Sequence, residues 1–413
     1  MDPLSLRGFL PITLCCLLMA GCASRSSNQD QDWAYRALEH SKSQYTLLAH
    51  QLPRGQYPRS LDEDGSLVTN RSGSWISGFF PGTLWYLYEH SQEAAIQDYA
   101  ADWTRDLESQ KNNTGTHDLG FIFVPSYGNA YRISGDTDYR DVLLTSAQSL
   151  SQRFDPTVGC IKSWDFFNGP DKWKQYPVII DNMMNLELLF EASRLSGDST
   201  YHRMAVSHAD KTLKNHIRPD YSTYHVVDYD TLTGGVIKKM TSQGLADEST
   251  WARGQAWAVA GFTICYRYTQ DPKYLTAAIA LYDHYSQHEN MPGDHIPYWD
   301  FDDPDIPRTS RDASAAAIIA TSLIELSEYV DSKRARKYRD EAETILRTLS
   351  SPAYLTESGG SEGFILKHST GHRPLESEID VPICYADYYF VKALTDYLKR
   401  SAPTASPARV SSK

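Results

Sequence analysis

Arg194-Leu-Ser-Gly-Asp-Ser-Thr-Tyr201 closes one stretch of helical apolar spacing and opens another within a few residues. A helix ends at the loop, Asp198 is placed to accept the first free amides of the next helix as its N-cap, and Tyr201 follows three residues later. The same arrangement stands at Ser134-Gly135-Asp136 before Tyr139, and at Gln270-Asp271-Pro272 before Tyr274. The copies lie roughly 60 to 75 residues apart, a length that suits one helical hairpin plus a loop. Repeated hairpins over this length predict a closed ring of helices, an all-α (α/α) toroid, rather than a four-helix bundle.

The flanking sequence agrees. Tyr35 to Leu52, Pro81 to Gln97, Asp181 to Ser196, Ser249 to Tyr268 and Ala313 to Val330 each repeat apolar residues at three-and-four spacing. Tyr224 to Met240 is the best strand candidate, with the turn Asp230-Thr-Leu-Thr-Gly-Gly235 between β-branched residues. The 413 residues carry 40 basic and 52 acidic side chains, a net charge of −12 that, without any basic run, argues against nucleic acid as a partner. Aromatics reach 12%, enough for a large core or for a surface that stacks flat ligands such as sugars.

The ends read differently from the body. One basic residue within Met1 to Arg7 and the apolar run Gly8 to Ala20 form a signal peptide ending Leu18-Met-Ala-Gly-Cys22, which resembles a bacterial lipobox. The expectation is a leader over 1–22 with Cys22 lipidated, a polar tether over 23–32, a helical domain over 33–400 and a disordered Ser/Pro/Ala tail over 401–413. This places the protein at the cell envelope, anchored by lipid to the outer membrane or facing the periplasm. Cys160, Cys265 and Cys384 are isolated, so buried free thiols are expected.

Five loops concentrate chemistry: Trp75 to Gly82, His117-Asp118-Leu-Gly-Phe121, Asp181-Asn-Met-Met-Asn185, Gln243 to Trp257, and Pro297 to Phe301 with Arg311-Asp312. Asp181 follows Val178-Ile-Ile180, so it is expected to be partly desolvated, with a raised pKa that an ionised Asp118 nearby would raise further. Residue type alone also allows a helix cap at Asp181 and a loop cap at Asp118. Arg253 and Trp257 are one helical turn apart, offering a planar fork for a carboxylate and a stacking face for a sugar; a buried Arg capping carbonyls fits the same pattern. His117 and His225 lack metal-ligand spacing, and no phosphate-loop, dinucleotide or serine-hydrolase fingerprint is present.

Taken in order over roughly residues 70 to 395, Ser77-Gly-Phe-Phe-Pro-Gly82, His117 to Phe121, Ile180 to Asn185, Ser249-Thr-Trp-Ala-Arg-Gly-Gln-Ala-Trp257, Pro297 to Phe301 and Arg311-Asp-Ala-Ser-Ala315 resemble the unsaturated glucuronyl hydrolases, glycoside hydrolase family 88. The resemblance implies an (α/α)6 barrel with a loop-built cleft, acting without metal or organic cofactor. Its substrates would be lyase-generated oligosaccharides that end in a 4,5-unsaturated uronic acid. Asp181 matches the family's acid/base and Asp118 its second essential carboxylate. By the same resemblance His117, Trp164, His225, Thr241, Gln243, Trp251, Arg253 and Trp257 line the sugar subsites. Ser242 departs from the His that many members carry there, and no fixed roles carry over to Lys367 to Arg373. An unsaturated rhamnogalacturonyl hydrolase and a non-catalytic glycan-binding lipoprotein are the alternatives.

Overall fold

The computed structural model describes residues 16–165 and 175–401, with side chains described from Gln31. Cys22, most of the expected tether and the tail after Ser401 fall outside the described side chains.

Six helices form an inner ring: α2 (Phe79–Ser91), α4 (Leu119–Phe123) continued through a wide turn at Val124–Gly128 into α5 (Asn129–Ser134), α7 (Leu186–Ser196), α9 (Ala252–Thr269), α11 (Ala313–Leu326) and α13 (Cys384–Ser401). Each packs on the next, and α13 returns to α2 to close the ring. Outside them lie α1 (Cys16–Gln51), α3 (Ala94–Asp106), α6 (Thr137–Ser151), α8 (Ser199–Asn215), α10 (Pro272–Gln287) and α12 (Ser332–Leu349). The sequence sorts the two layers. Within α11, Ala-Ser-Ala-Ala-Ala-Ile-Ile is apolar or small all round and buried throughout, as an inner helix must be, whereas α12 buries one stripe (Ala335, Tyr338, Ala342, Ile345, Leu346, Leu349) beneath a charged face.

The repeated turns act as the spacing requires. Gly135 and Gly197 hold the left-handed conformation that closes α5 and α7, with φ of 70° and 77°, and Gln270 does the same for α9. Asp136, Asp198 and Asp271 then accept the amides of Asp138, Thr200 and Lys273. Two expected helices are shorter than their periodicity suggested. Pro81 to Gln97 is split between α2 and α3, because Gln92 turns left-handed (φ 59°) and its N–H closes on the Tyr88 carbonyl. The stretch from Asp181 begins as a tight turn (Ile180–Asn185) before α7.

Because the inner helices run parallel to one another, all the short turns lie at one end of the barrel and the long connections at the other. Those connections carry the strands: β1 (Tyr57–Leu61) with β2 (Leu67–Asn70), β3 (Phe154–Asp155) with β4 (Cys160–Ile161), β5 (Tyr176–Ile179), β6 (Val226–Tyr229) and β7 (Val236–Met240) in the order β5-β6-β7, and β8 (Ser369–His372) with β9 (Ser377–Val381). β6 and β7 fall inside the expected strand segment. In the antiparallel three-stranded sheet, Ile179 pairs with Val226 and Val226 with Met240, so the chain leaves the sheet beside Asp181, His225 and Thr241 together. Cys160, Cys265 and Cys384 are buried free thiols.

Candidate active site

The segment Asp181-Asn-Met-Met-Asn185 assembles the site, and each polar member has its own task. Asn182 donates to the Ile161 carbonyl and to Ser163 Oγ, while Ser163 Oγ accepts the Ile179 amide. Asn185 Oδ1 accepts the Phe121 amide across 64 residues of sequence. That approach needs Gly120: a Cβ there would stand 2.4 Å from Asn185 Cα. Asp181 is therefore held beside the turn that carries His117 and Asp118, a meeting that sequence spacing alone left open. Neither carboxylate caps a helix through its side chain.

Both carboxylates are largely withdrawn from water, Asp118 17% and Asp181 11% exposed, and neither has a Lys or Arg partner among the described residues. Burial, with a further push from Asp118, raises Asp181 to about 7 against the pull of Arg253. Burial likewise raises Asp118 to about 7, opposed by hydrogen bonds from Thr116 and Asn185 and by the charge of Arg153. Two carboxyl groups that interact in this way titrate as a pair and hold a proton between them near neutrality. Asp118 has more donors for its charged form, so Asp181 is the member better suited to keep the proton.

Two imidazoles flank the pair. His117 is neutral, because burial and Arg153 push it down to about 3. Its Nε2 stands 3.2 Å from Asp118 Oδ1, and its ring also hydrogen-bonds the Ser163 backbone. His225 Nδ1 accepts two amides, from Ser242 (3.0 Å) and Gln243 (3.1 Å). The ring proton therefore sits on Nε2, which faces Asp181 Oδ2 at 3.5 Å. His225 packs on Trp251 (centroids 4.7 Å), and Trp164 presents its ring edge-on to both His117 and His225 (6.5 and 6.0 Å). Trp164 is half-buried.

Of the two readings the sequence leaves open for Arg253, the geometry selects the buried residue that caps carbonyls. Its guanidinium is buried and occupied, donating to Asp312 Oδ2 (2.9 Å), to the Thr370 and Gly371 carbonyls, and to Gln243 Oε1 (2.8 Å). It lies over the Trp251 ring at 4.6 Å. Arg253 thus caps carbonyls and ties α9 to α11 and β8. By occupying Gln243 Oε1 it turns that amide's N–H groups away from itself. Trp257, one turn down α9, is fully buried against Phe121 and Tyr389, so it packs in the core and presents no face to a sugar, unlike the subsite residue expected. The Thr241 hydroxyl accepts the Gly244 amide inside its loop, and Asp300 holds the same loop through Ser249 and the Leu245 amide.

Three further residues complete the frame. Arg153 and Ser163 bind the loops that carry Trp164 and His117, and Asp312 is at once the N-cap of α11 and the counterion of Arg253. Of these only Asp312 stood in a motif singled out from sequence. Among the described residues no group of three or more His, Cys, Asp or Glu side chains could hold a metal ion.

Known proteins share this arrangement of chain. The family model described as Glycosyl Hydrolase Family 88 matches residues 54–389. An unsaturated glucuronyl hydrolase of Formosa agariphila is 47% identical, covering 90% of this chain and 91% of its own. One of Bacillus sp. (strain GL1) is 33% identical, covering 82% and 90%. A solved unsaturated glucuronyl hydrolase specific for heparin superposes with a TM-score of 0.86 at 45% identity, covering 89% of this chain and 98% of that one. A Streptococcus agalactiae unsaturated glucuronyl hydrolase variant, solved with dGlcA-GalNAc6S, gives 0.76 at 27% identity, covering 89% and 92%.

Proposed function

The chain belongs to glycoside hydrolase family 88, and from that premise we propose how its site works and where it acts. It is a hydrolase that removes the 4,5-unsaturated uronic acid from the non-reducing end of lyase-generated oligosaccharides. The observation that carries the mechanism is the pair of buried carboxyl groups, Asp118 and Asp181, raised to about 7 with no Lys or Arg paired to either among the described residues.

The substrate is an enol ether. Asp181, protonated, delivers its proton to C4, and the positive charge that develops at C5 is shared with the ring oxygen. His225 Nε2–H faces Asp181 Oδ2, which leaves Oδ1 to carry the proton toward the sugar. Asp118, ionised, keeps Asp181 protonated in the resting site and lies where it can stabilise the cation. Water then adds at C5 and gives its proton to the carboxylate of Asp181, restoring the acid. The hemiketal so formed opens, the ring oxygen stays with C1, and the hemiacetal at C1 releases the remaining sugar as its alcohol. Positioned proton transfer of this type supplies about 10² to 10⁴ in rate. Trp164 offers the stacking face, and the Gln243 amide, turned by Arg253, offers donors to a polar substituent.

The decisive assay is loss of the ultraviolet absorbance of the conjugated C4=C5 uronate when the protein meets lyase products of several polymers. The 45% identity to a heparin-specific structure places heparin-derived disaccharides first in that panel, followed by those of chondroitin. Bleaching identifies the reaction, and the fastest substrate identifies the polymer. A flat trace on every glucuronate-derived product, with the protein folded, would contradict this function and favour glycan binding without turnover.

Location rests on Leu18-Met-Ala-Gly-Cys22. Cys22 becomes the lipidated N-terminus and holds the barrel at the cell envelope, on the outer membrane or facing the periplasm. No helix of the described residues is long and apolar enough to cross a membrane. Metabolic labelling with a fatty acid tests the anchor: the label is retained by the native chain and lost on Cys22→Ser.

A further inference from the structure

Arg153 follows α6, in Ser151-Gln-Arg-Phe154, and stands in none of the motifs that mark the site. Its side chain is 6% exposed, and every branch of its fork is used. Nε donates to the Lys162 carbonyl (2.9 Å), one terminal nitrogen to the Thr114 carbonyl (2.8 Å) and to Asp165 Oδ2 (2.7 Å), the other to the Ser163 carbonyl (3.3 Å). Thr114 begins the turn that delivers His117 and Asp118. Lys162, Ser163 and Asp165 surround Trp164. One planar cation therefore joins the loop that carries His117 and Asp118 to the loop that carries Trp164. A lysine, with a single nitrogen, cannot reproduce that fork.

Deepening the function proposed above, and resting on it, we infer that Arg153 is a positioning residue. It fixes the Trp164 stacking face against His117 and Asp118, and its charge stands behind Asp118 as the fixed field that favours the ionised form. The groups around it determine the sign of its effect. Asp165, with Lys162 at 3.4 Å, offsets part of the Arg153 charge from the solvent side. His117 faces Asp118 at 3.2 Å and is neutral, as is His208 behind it. Asp181 opposes ionisation of Asp118 from the far side, while Arg253, paired with Asp312, acts on Asp181. Among the described residues Arg153 is thus the cation acting on Asp118, and its removal raises the pH at which Asp118 loses its proton.

The test is a pH profile of kcat/KM, with kcat and KM separated, for Arg153→Lys, Arg153→Gln and Asp165→Asn in the full chain. Arg153→Lys keeps the charge and loses the fork, so KM rises about tenfold while the acidic limb stays in place. Arg153→Gln raises KM and also moves the acidic limb upward by about half a pH unit. Asp165→Asn, at an exposed position that does not endanger folding, unmasks the Arg153 charge and moves the same limb downward. If Arg153 served stability alone, the folded fraction of each variant would keep the native KM and the native limbs; that result overturns the inference. If Arg153→Gln does not fold, a limb unmoved in Asp165→Asn overturns the electrostatic part. An unmoved KM in Arg153→Lys overturns the positioning part. A native chain without turnover on any unsaturated uronate would instead remove the underlying function, an outcome separate from either.

Discussion

The two ends of the barrel both bury carboxylates, and they differ in the cations set against them, although burial keeps Glu187 raised even beside Arg267. At the end of the short turns, Arg267 bridges Glu187 (2.9 Å) and Glu325 (3.3 Å), Lys392 holds Asp396 (2.6 Å), and Arg400 meets Glu328 (3.2 Å) around a cavity of about 480 Å³. Burial pulls Asp396 upward, but Lys392 outweighs it and the net shift is down. At the end of the long loops, Asp118 and Asp181 are as deeply placed and have no such partner among the described residues, so burial prevails and both rise to about 7. Asp312 shows that this is selective, since at the same end it receives Arg253 at 2.9 Å. Burial without a cation does not by itself assign a role: Asp387 is also raised to about 7 but is bound by the Ile365 and Leu366 amides and by Tyr45, whereas Asp118 and Asp181 stand beside two imidazoles at the loop end, placed to exchange a proton.

The contrast breaks most visibly at the acid. Asp181→Asn leaves the cleft in place and removes the transferable proton, so kcat/KM falls by about 10³ to 10⁴, measured as bleaching of the unsaturated uronate. At the opposite end, Arg267→Gln leaves Glu187 and Glu325 facing each other. It lowers stability by about 2 to 3 kcal/mol in denaturant titration, while kcat/KM of the folded protein stays within about twofold. Between the ends, Gly120→Ala forces Asn185 away from the Phe121 amide and separates the segments of Asp118 and Asp181. It costs about 1 to 3 kcal/mol in stability and lowers kcat about tenfold.

The smallest effect is on pH dependence. Both folded pKa values lie above the ordinary carboxylate range, so the native state keeps protons that the unfolded chain releases. That stability is complete below about pH 4 and is lost as the pH rises through about 7. The native Tm therefore declines between these limits by a few degrees more than that of Asp181→Asn. kcat/KM falls on both sides of neutrality, as the pair gains a second proton or loses its last.

What was legible in the sequence was short in range. The Gly-Asp and Gln-Asp turns could be read because each N-cap bond spans two residues, as from Asp198 to Thr200. Asp181 could be read because Val178-Ile-Ile180 immediately before it announces burial. The break at Gln92 carried no Gly or Pro and went unseen. Arg253 was placed on the right face, but its partners Thr370 and Gly371 lie 117 and 118 residues away, so spacing could not show its guanidinium already occupied. Helical spacing put Trp257 one turn below Arg253, yet only the closed ring shows that one turn down is full burial. Arg153 had no signal at all, because its task exists only once two loops distant in sequence are brought together.

The most direct test compares the native chain with Asp181→Asn at pH 8, following bleaching of a lyase-generated disaccharide and thermal unfolding on the same samples. An acid whose ionised form is strained by burial predicts that the variant loses bleaching and melts higher than the native protein at this pH. Bleaching at the native rate by Asp181→Asn, or lost activity accompanied by a lower melting temperature, would show that Asp181 is a structural carboxylate like those at the other end.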